Sequence, residues 1–124
     1  MALSQLATEI YEVLRAYANS ANGEITYQEL VMALGPLPPP NQDLHWRDSR
    51  LDEALGELVT TCRGHQLPAL SAIVVRANER SPGAAYFPIA HPQEFAIGGE
   101  VAAMRAWEAE VRRIRVASYP ERLE

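Results

Sequence analysis

The chain has no lysine. Its eleven basic residues are all arginine, and against sixteen acids they leave a formal net charge of −5. Proteins that hold nucleic acid usually carry a basic surplus, so this deficit weighs against that class. There is a single cysteine, Cys62. An internal disulfide framework is therefore excluded, and a reducing, cytoplasmic setting is expected. Long apolar runs are missing too: no window approaches the ~18 consecutive apolar residues of a membrane-spanning helix. The opening MALSQLATEIYEVL has no basic leader region and carries Glu9 and Glu12, so it reads as a first helix and not a signal peptide. Phosphate loops of the GxxxxGKS type, GxGxxG turns, HExxH helices and GxSxG elbows are absent. Neither a cofactor nor an enzymatic activity is expected.

What is present suits one domain over residues 1–124, with 48% hydrophobic and 22% charged residues, close to globular averages. Leu3, Leu6, Ile10, Val13, Leu14 and Tyr17 recur at gaps of one to four, which puts a single apolar stripe on a helix over 3–18. Turn residues follow at 20–23. Thr26 and Glu29 then stand at capping-box spacing, with Ile25 and Leu30 placed as the hydrophobic staple around it. That predicts a second helix running from Thr26 to Leu34 and stopped by Gly35-Pro36. The run Pro36-Leu37-Pro38-Pro39-Pro40 reads as a stiff connection.

Ser49 and Asp52 give another capping signature, and Leu51, Ala54, Leu55, Leu58, Val59 and Cys62 share one side of a third helix at about 50–63. Ala69 to Val75 is a β-branched run that suits a buried strand, 77–83 a polar turn, and 84–89 a returning strand with Pro88 at its edge or end. Residues 91–99 read as a connection. A last helix is expected at about 100–117 on the stripe Val101, Met104, Trp107, Val111 and Ile114, followed by a frayed tail from Tyr119.

This order resembles the winged helix-turn-helix superfamily: three helices, a short extended segment before the second, then a β-hairpin wing. The resemblance covers residues 3–90 and rests on the element order and the capped Glu24-to-Leu30 start. The stretch Leu67 to Val75 followed by Ser81-Pro82-Gly83 also looks like a hairpin in small bacterial and phage-associated winged-helix-like proteins. The implied fold class is α+β, winged-helix-like, with three helices, a two-stranded hairpin wing and an extra C-terminal helix. The connection at 36–49 departs from the pattern, since a helix-turn-helix uses a turn of about 3–4 residues.

Two functions compete. If the resemblance extends to function, the chain is a sequence-specific DNA-binding regulator that uses the helix at 50–63 and the hairpin turn at 77–83. Arg47, Arg50, Arg76, Asn78 and Arg80 are then the candidate contacts. The third helix, however, faces solvent with Asp52, Glu53 and Glu57, and residues 44–80 hold equal numbers of arginines and acids. Carboxylates oppose phosphate and read bases only in limited ways. The preferred expectation is a non-enzymatic protein-interaction module of accessory or inhibitor type, with a protein partner or a second copy. The resemblance implies dimerisation through the added helix, at Trp107, Val111 and Ile114.

On that helix, Glu108 with Arg112 and Glu110 with Arg113 read as a solvated, self-paired face. Cys62 and three scattered histidines make a poor metal or thiol site, and Cys62 falls on the apolar stripe of its helix as a buried thiol. Neither a small-molecule ligand nor a membrane is indicated.

Overall fold

The computed structural model describes residues 3–18, 23–39, 41–83 and 86–123. Its elements are α1 (Gln5–Ala18), β1 (Ile25–Thr26), α2 (Tyr27–Leu34), α3 (Ser49–Gly64), a 3₁₀ turn (Leu70–Ile73), β2 (Val74–Val75), α4 (Tyr86–Ala90) and α5 (Pro92–Val116). The fold is α+β: mostly helical, with a small sheet in which β1 and β2 run parallel, Ile25 opposite Val74 and Thr26 opposite Val75.

The N-terminal half is built as its local chemistry dictates. Thr26 Oγ1 accepts the N–H of Glu29 at 3.1 Å, and Glu29 Oε1 accepts the N–H of Thr26 at 2.9 Å, which closes the capping box. Gly35, left-handed at φ 65°, ends α2 and donates its N–H to Met32 O. The cap of α3 lies one residue before the expected Ser49. Asp48 accepts the N–H of Arg50 at 2.9 Å. α1 buries Leu6, Ile10, Tyr11 and Leu14, and α3 buries Leu51, Leu55, Leu58 and Cys62. The two helices pack on each other and on the 3₁₀ turn, with α2 against α1.

The expected β-hairpin is not formed, because the two strands are parallel and the partner of β2 lies before α2. Residues 69–75 are all buried. An apolar run of that length does not distinguish strand from turn by its periodicity, and hydrogen bonding decides it. Ala72 N–H donates to Ala69 O, Ser71 Oγ to Leu55 O at 2.7 Å, and Trp107 Nε1–H to Ala72 O at 2.7 Å. The backbone bond, with that of Val74 N–H to Ser71 O, winds 70–73 into a 3₁₀ turn, the two side-chain bonds tie it to α3 and α5, and two extended residues are left. The turn after them does close, through Arg76 N–H to Ser81 O (2.8 Å) and Arg80 N–H to Arg76 O (2.9 Å).

Beyond the turn, 84 and 85 lie outside the described residues, and 86–90 is helix where a strand was expected. Pro88 explains the difference: in the first turn of a helix its missing N–H costs nothing, whereas in a strand it removes a ladder donor. Gly83 sits at a close approach, since a Cβ there would meet the Tyr27 hydroxyl at 2.7 Å.

The C-terminal part also departs from expectation. Helix occupies most of the expected connection at 91–99, starting at Pro92 and broken only at Gly99, whose φ of 67° and ψ of −155° are not helical. The buried stripe beyond the break is Ala103, Trp107, Glu110 and Ile114, so Val101 (66% exposed) lies outside it. The tail is docked, not frayed. Tyr119 and Leu123 are buried, Tyr119 Oη donates to Pro68 O (2.7 Å), Arg15 Nε donates to Tyr119 O (3.0 Å), and Tyr11 Oη donates to Pro120 O. Burying two apolar side chains outweighs fraying there. No helix among the described residues is long and apolar enough to cross a membrane.

Candidate functional site

The candidate contacts singled out in the sequence lie around two loops: Arg47 before α3 and Arg50 in its first turn, and Arg76, Asn78 and Arg80 after β2. Arg50 is folded back onto the first: its Nη2 lies 2.6 Å from Asp48 Oδ2 and 3.1 Å from Asp43 Oδ1. This pairing holds the Asp48 carboxyl down at about 2. Arg47 is exposed, and its guanidinium lies over the Trp46 ring at 4.5 Å from the centroid. On the second loop Arg76 Nε pairs with Glu79 Oε2 at 2.6 Å. Arg80, left-handed at φ 53°, reaches Glu24 at 3.3 Å. Asn78 is exposed. Arg76 and Asn78 share a shallow notch of about 180 Å³ with Trp46, Tyr27 and Glu79.

The structure thus brings Arg76 and Asn78 together with Trp46, but turns Arg50 and Arg80 to acids elsewhere. Three of the four arginines named in advance carry a carboxylate of their own chain. A phosphate would have to displace those carboxylates or accept their repulsion.

The three side chains expected at a dimer contact are placed otherwise. Trp107 and Ile114 point into the chain's own core, and Val111 packs half-buried against it. The indole N–H explains the orientation of Trp107, because Ala72 O is its partner inside. The large apolar side chains left outside are instead Ile89, Phe95, Ile97 (89% exposed), Val101, Met32 and Val116.

A second cluster lies where α3 ends, α4 meets α5 and the 3₁₀ turn begins. Glu110 is its centre and is only 1% exposed. Its Oε2 accepts the N–H of Ala69 at 2.7 Å; its Oε1 accepts Arg113 Nη2 at 2.8 Å and Arg63 Nη2 at 3.2 Å. Arg63 Nη2 also donates to Ala90 O at 2.9 Å, tying the end of α4 to α3. His91 Nε2 lies 3.9 Å from Glu110 Oε1 and shares a 2.9 Å hydrogen bond with Tyr86 Oη. Burial pushes the His91 imidazole below its ordinary value against the pull of Glu110, and pushes the Tyr86 phenol up. Both groups are therefore held neutral at pH 7. Two open clefts flank the cluster, one of about 590 Å³ that includes His91 and Glu94, the other of about 330 Å³.

No family model, no curated protein and no solved structure matches this chain.

The sequence reading missed the second cluster by placing Glu110 on a solvated face. One signal was available. Glu110 is in phase with Trp107 and Ile114 at gaps of three and four, the same spacing that identifies an inward stripe. A carboxylate inside such a stripe must be paired, and Arg63 in the last turn of α3 was a cation in search of a role. Cys62 is buried, as its place on the stripe of α3 implied, and its thiol is pushed up by burial. Among the described residues no group of three or more His, Cys, Asp or Glu could hold a metal ion.

Proposed function

We propose that this chain is a non-enzymatic protein-interaction module, of accessory or inhibitor type. The observation that carries the reading is the self-pairing of Arg50, Arg76 and Arg80 with Asp43, Asp48, Glu79 and Glu24. With its arginines answered by its own acids and a net charge of −5, the chain offers a duplex little counter-charge. It offers a protein partner apolar side chains instead, in Phe95, Ile97 and Val101 on either side of the Gly99 break. The winged-helix likeness enters this reading only through the order α1, β1, α2, α3. The notch beside Trp46, with Arg76 and Asn78 on its rim, is the remaining argument for DNA.

The discriminating measurement is a titration of the full chain with mixed-sequence duplex DNA at roughly 50 and 200 mM salt. The reading expects no affinity at the lower salt. Affinity that is measurable there and falls steeply at the higher salt overturns it in favour of a DNA-binding regulator. Sedimentation velocity at rising concentration tells whether the partner is a second copy. A monomer at every concentration leaves only a different protein.

A further inference from the structure

We propose that the cleft between Arg63 and Arg113 is a carboxylate-binding site. The charge count there does not close. Two guanidinium groups converge on one carboxylate oxygen, Glu110 Oε1, while Oε2 is occupied by the N–H of Ala69. A single cation would have paired Glu110, and among the described residues lining the smaller of the two clefts no other acid answers the second, so one positive charge is left on that side of the cluster, Glu94 standing in the larger cleft. His91 adds none while neutral. This positive charge stands out in a chain whose net charge is −5.

The hydrogen-bonding capacity does not close either. Each guanidinium has five N–H donors in a planar fork. Only the Nη2 atoms of Arg63 and Arg113 donate within the described residues, to Glu110 and, from Arg63, to Ala90 O. The Nε and Nη1 donors of both have no protein acceptor there, and the two side chains are 42% and 60% exposed. Glu110 holds the inner edges of both groups in place, so the fork is ordered before a ligand arrives, which lowers the entropic cost of binding.

The smaller cleft, about 330 Å³, suits the ligand better. It is lined by Arg63, Gln66, Leu67, Pro68, Glu110 and Arg113, so Glu110 is its only acid among the described residues; the larger one also contains Glu94. Gln66, left-handed at φ 59°, adds an amide at the rim. Leu67 and Pro68 give an apolar wall. Paired arginines match the planar, bidentate geometry of a carboxylate, and a single surplus charge matches a monoanion. The apolar wall accommodates the short stem behind it. Such a group is supplied either by an acidic side chain of a partner protein or by a small free carboxylate. The site stands on either source and does not depend on the interaction reading above.

The test is a nitrogen–proton correlation titration of the full chain with propionate and, separately, with a blocked peptide of alternating Glu and Gly, at constant ionic strength. Saturable shifts are expected at the amides of Gln66, Leu67 and Ala69 and at the Arg113 Nε–H. Saturation by the peptide alone assigns the site to protein acids, and saturation by propionate alone to a free carboxylate. Arg113→Gln leaves Arg63 on Glu110, so the fold is retained, and it weakens binding roughly tenfold, the loss of one charge-assisted pair. Arg105→Gln, on the same helix, leaves binding unchanged. The proposal falls if sodium chloride at matched strength gives the same shifts, if Arg113→Gln binds as the parent does, or if nothing saturates by roughly 50 mM. Tighter binding of inorganic phosphate than of either carboxylate probe also overturns it.

Discussion

The chain uses arginine–carboxylate pairs in two settings, and the contrast between them separates what holds the molecule together from what it shows its surroundings. Around the loops at 41–48 and 76–81, Arg50, Arg76 and Arg80 meet acids that are themselves in water to varying degrees. Pairs of that kind contribute little to stability, because solvent already satisfies both partners. Their consequence is electrostatic: they cancel the field a phosphate would need. At the end of α3, by contrast, Arg63 and Arg113 answer a carboxylate that has lost its water. Glu110 there joins α3, the start of the 3₁₀ turn and α5, while Arg63 extends the link to the end of α4. Removing a partner from the second setting exposes a desolvation cost that the first never incurred.

Glu110→Ala is the sharpest way to test that difference. It orphans the buried N–H of Ala69 and leaves two guanidiniums without their anion, so a loss of about 3 kcal/mol is expected. Urea unfolding should show the midpoint falling with its slope unchanged. A loss below about 1 kcal/mol would place the buried cluster in the same class as the surface pairs. Arg63→Gln should come next, at about 1–2 kcal/mol, since it removes the bonds to Ala90 O and Glu110 while Arg113 keeps the carboxylate paired.

A pH series separates the settings without mutation. Burial lowers the His91 pKa from 6.5. As the pH falls below that value, the unfolded chain takes up a proton that the folded chain refuses, so stability declines until the folded pKa is passed. Asp48, a surface partner, is lowered to about 2 from 3.8, so its contribution is lost only as the pH drops between those values. Urea midpoints measured from pH 7.5 to 5 should therefore fall through His91 and not through Asp48. His91→Gln should flatten that decline, and an unchanged slope in the variant would assign it to other groups.

The N-terminal half was legible in the sequence because its signals are local. Thr26 with Glu29, Gly35 at the end of α2, and the stripe of α3 each specify structure within a few residues. The parallel pairing of β1 with β2 joins Ile25 to Val74 across the whole of α2 and α3, and nothing near either residue encodes it. The hairpin expectation failed for that reason, and because Pro88 fits a first helical turn as well as a strand edge.

The candidate residues divide along the same line. That Arg47, Arg76, Asn78 and Arg80 belong to loops and Arg50 to the start of α3 could be read from the turn and capping chemistry, but their partners could not. Glu24 and Arg80 are 56 positions apart. Glu110 was legible in principle, from its phase with Trp107. Its meaning depended on Ala69 and Arg63, which only the tertiary fold delivers.

The smallest effect is expected at that distant surface pair. Arg80→Gln and Glu24→Gln, singly and together, form a double-mutant cycle whose coupling should stay below about 1 kcal/mol. Arg80 is more than half exposed and Glu24 partly so, and at 3.3 Å they make a single contact with no bidentate geometry. The coupling should shrink further in high salt, where a Debye length of about 3 Å at 1 M screens exposed charges. What should change is the surface field: Glu24→Gln uncovers Arg80, and any weak duplex binding should rise in that variant before any other. A coupling of 2 kcal/mol or more would mean that the closed loop at 76–81 is anchored through this pair, and the line drawn between the two settings would have to move.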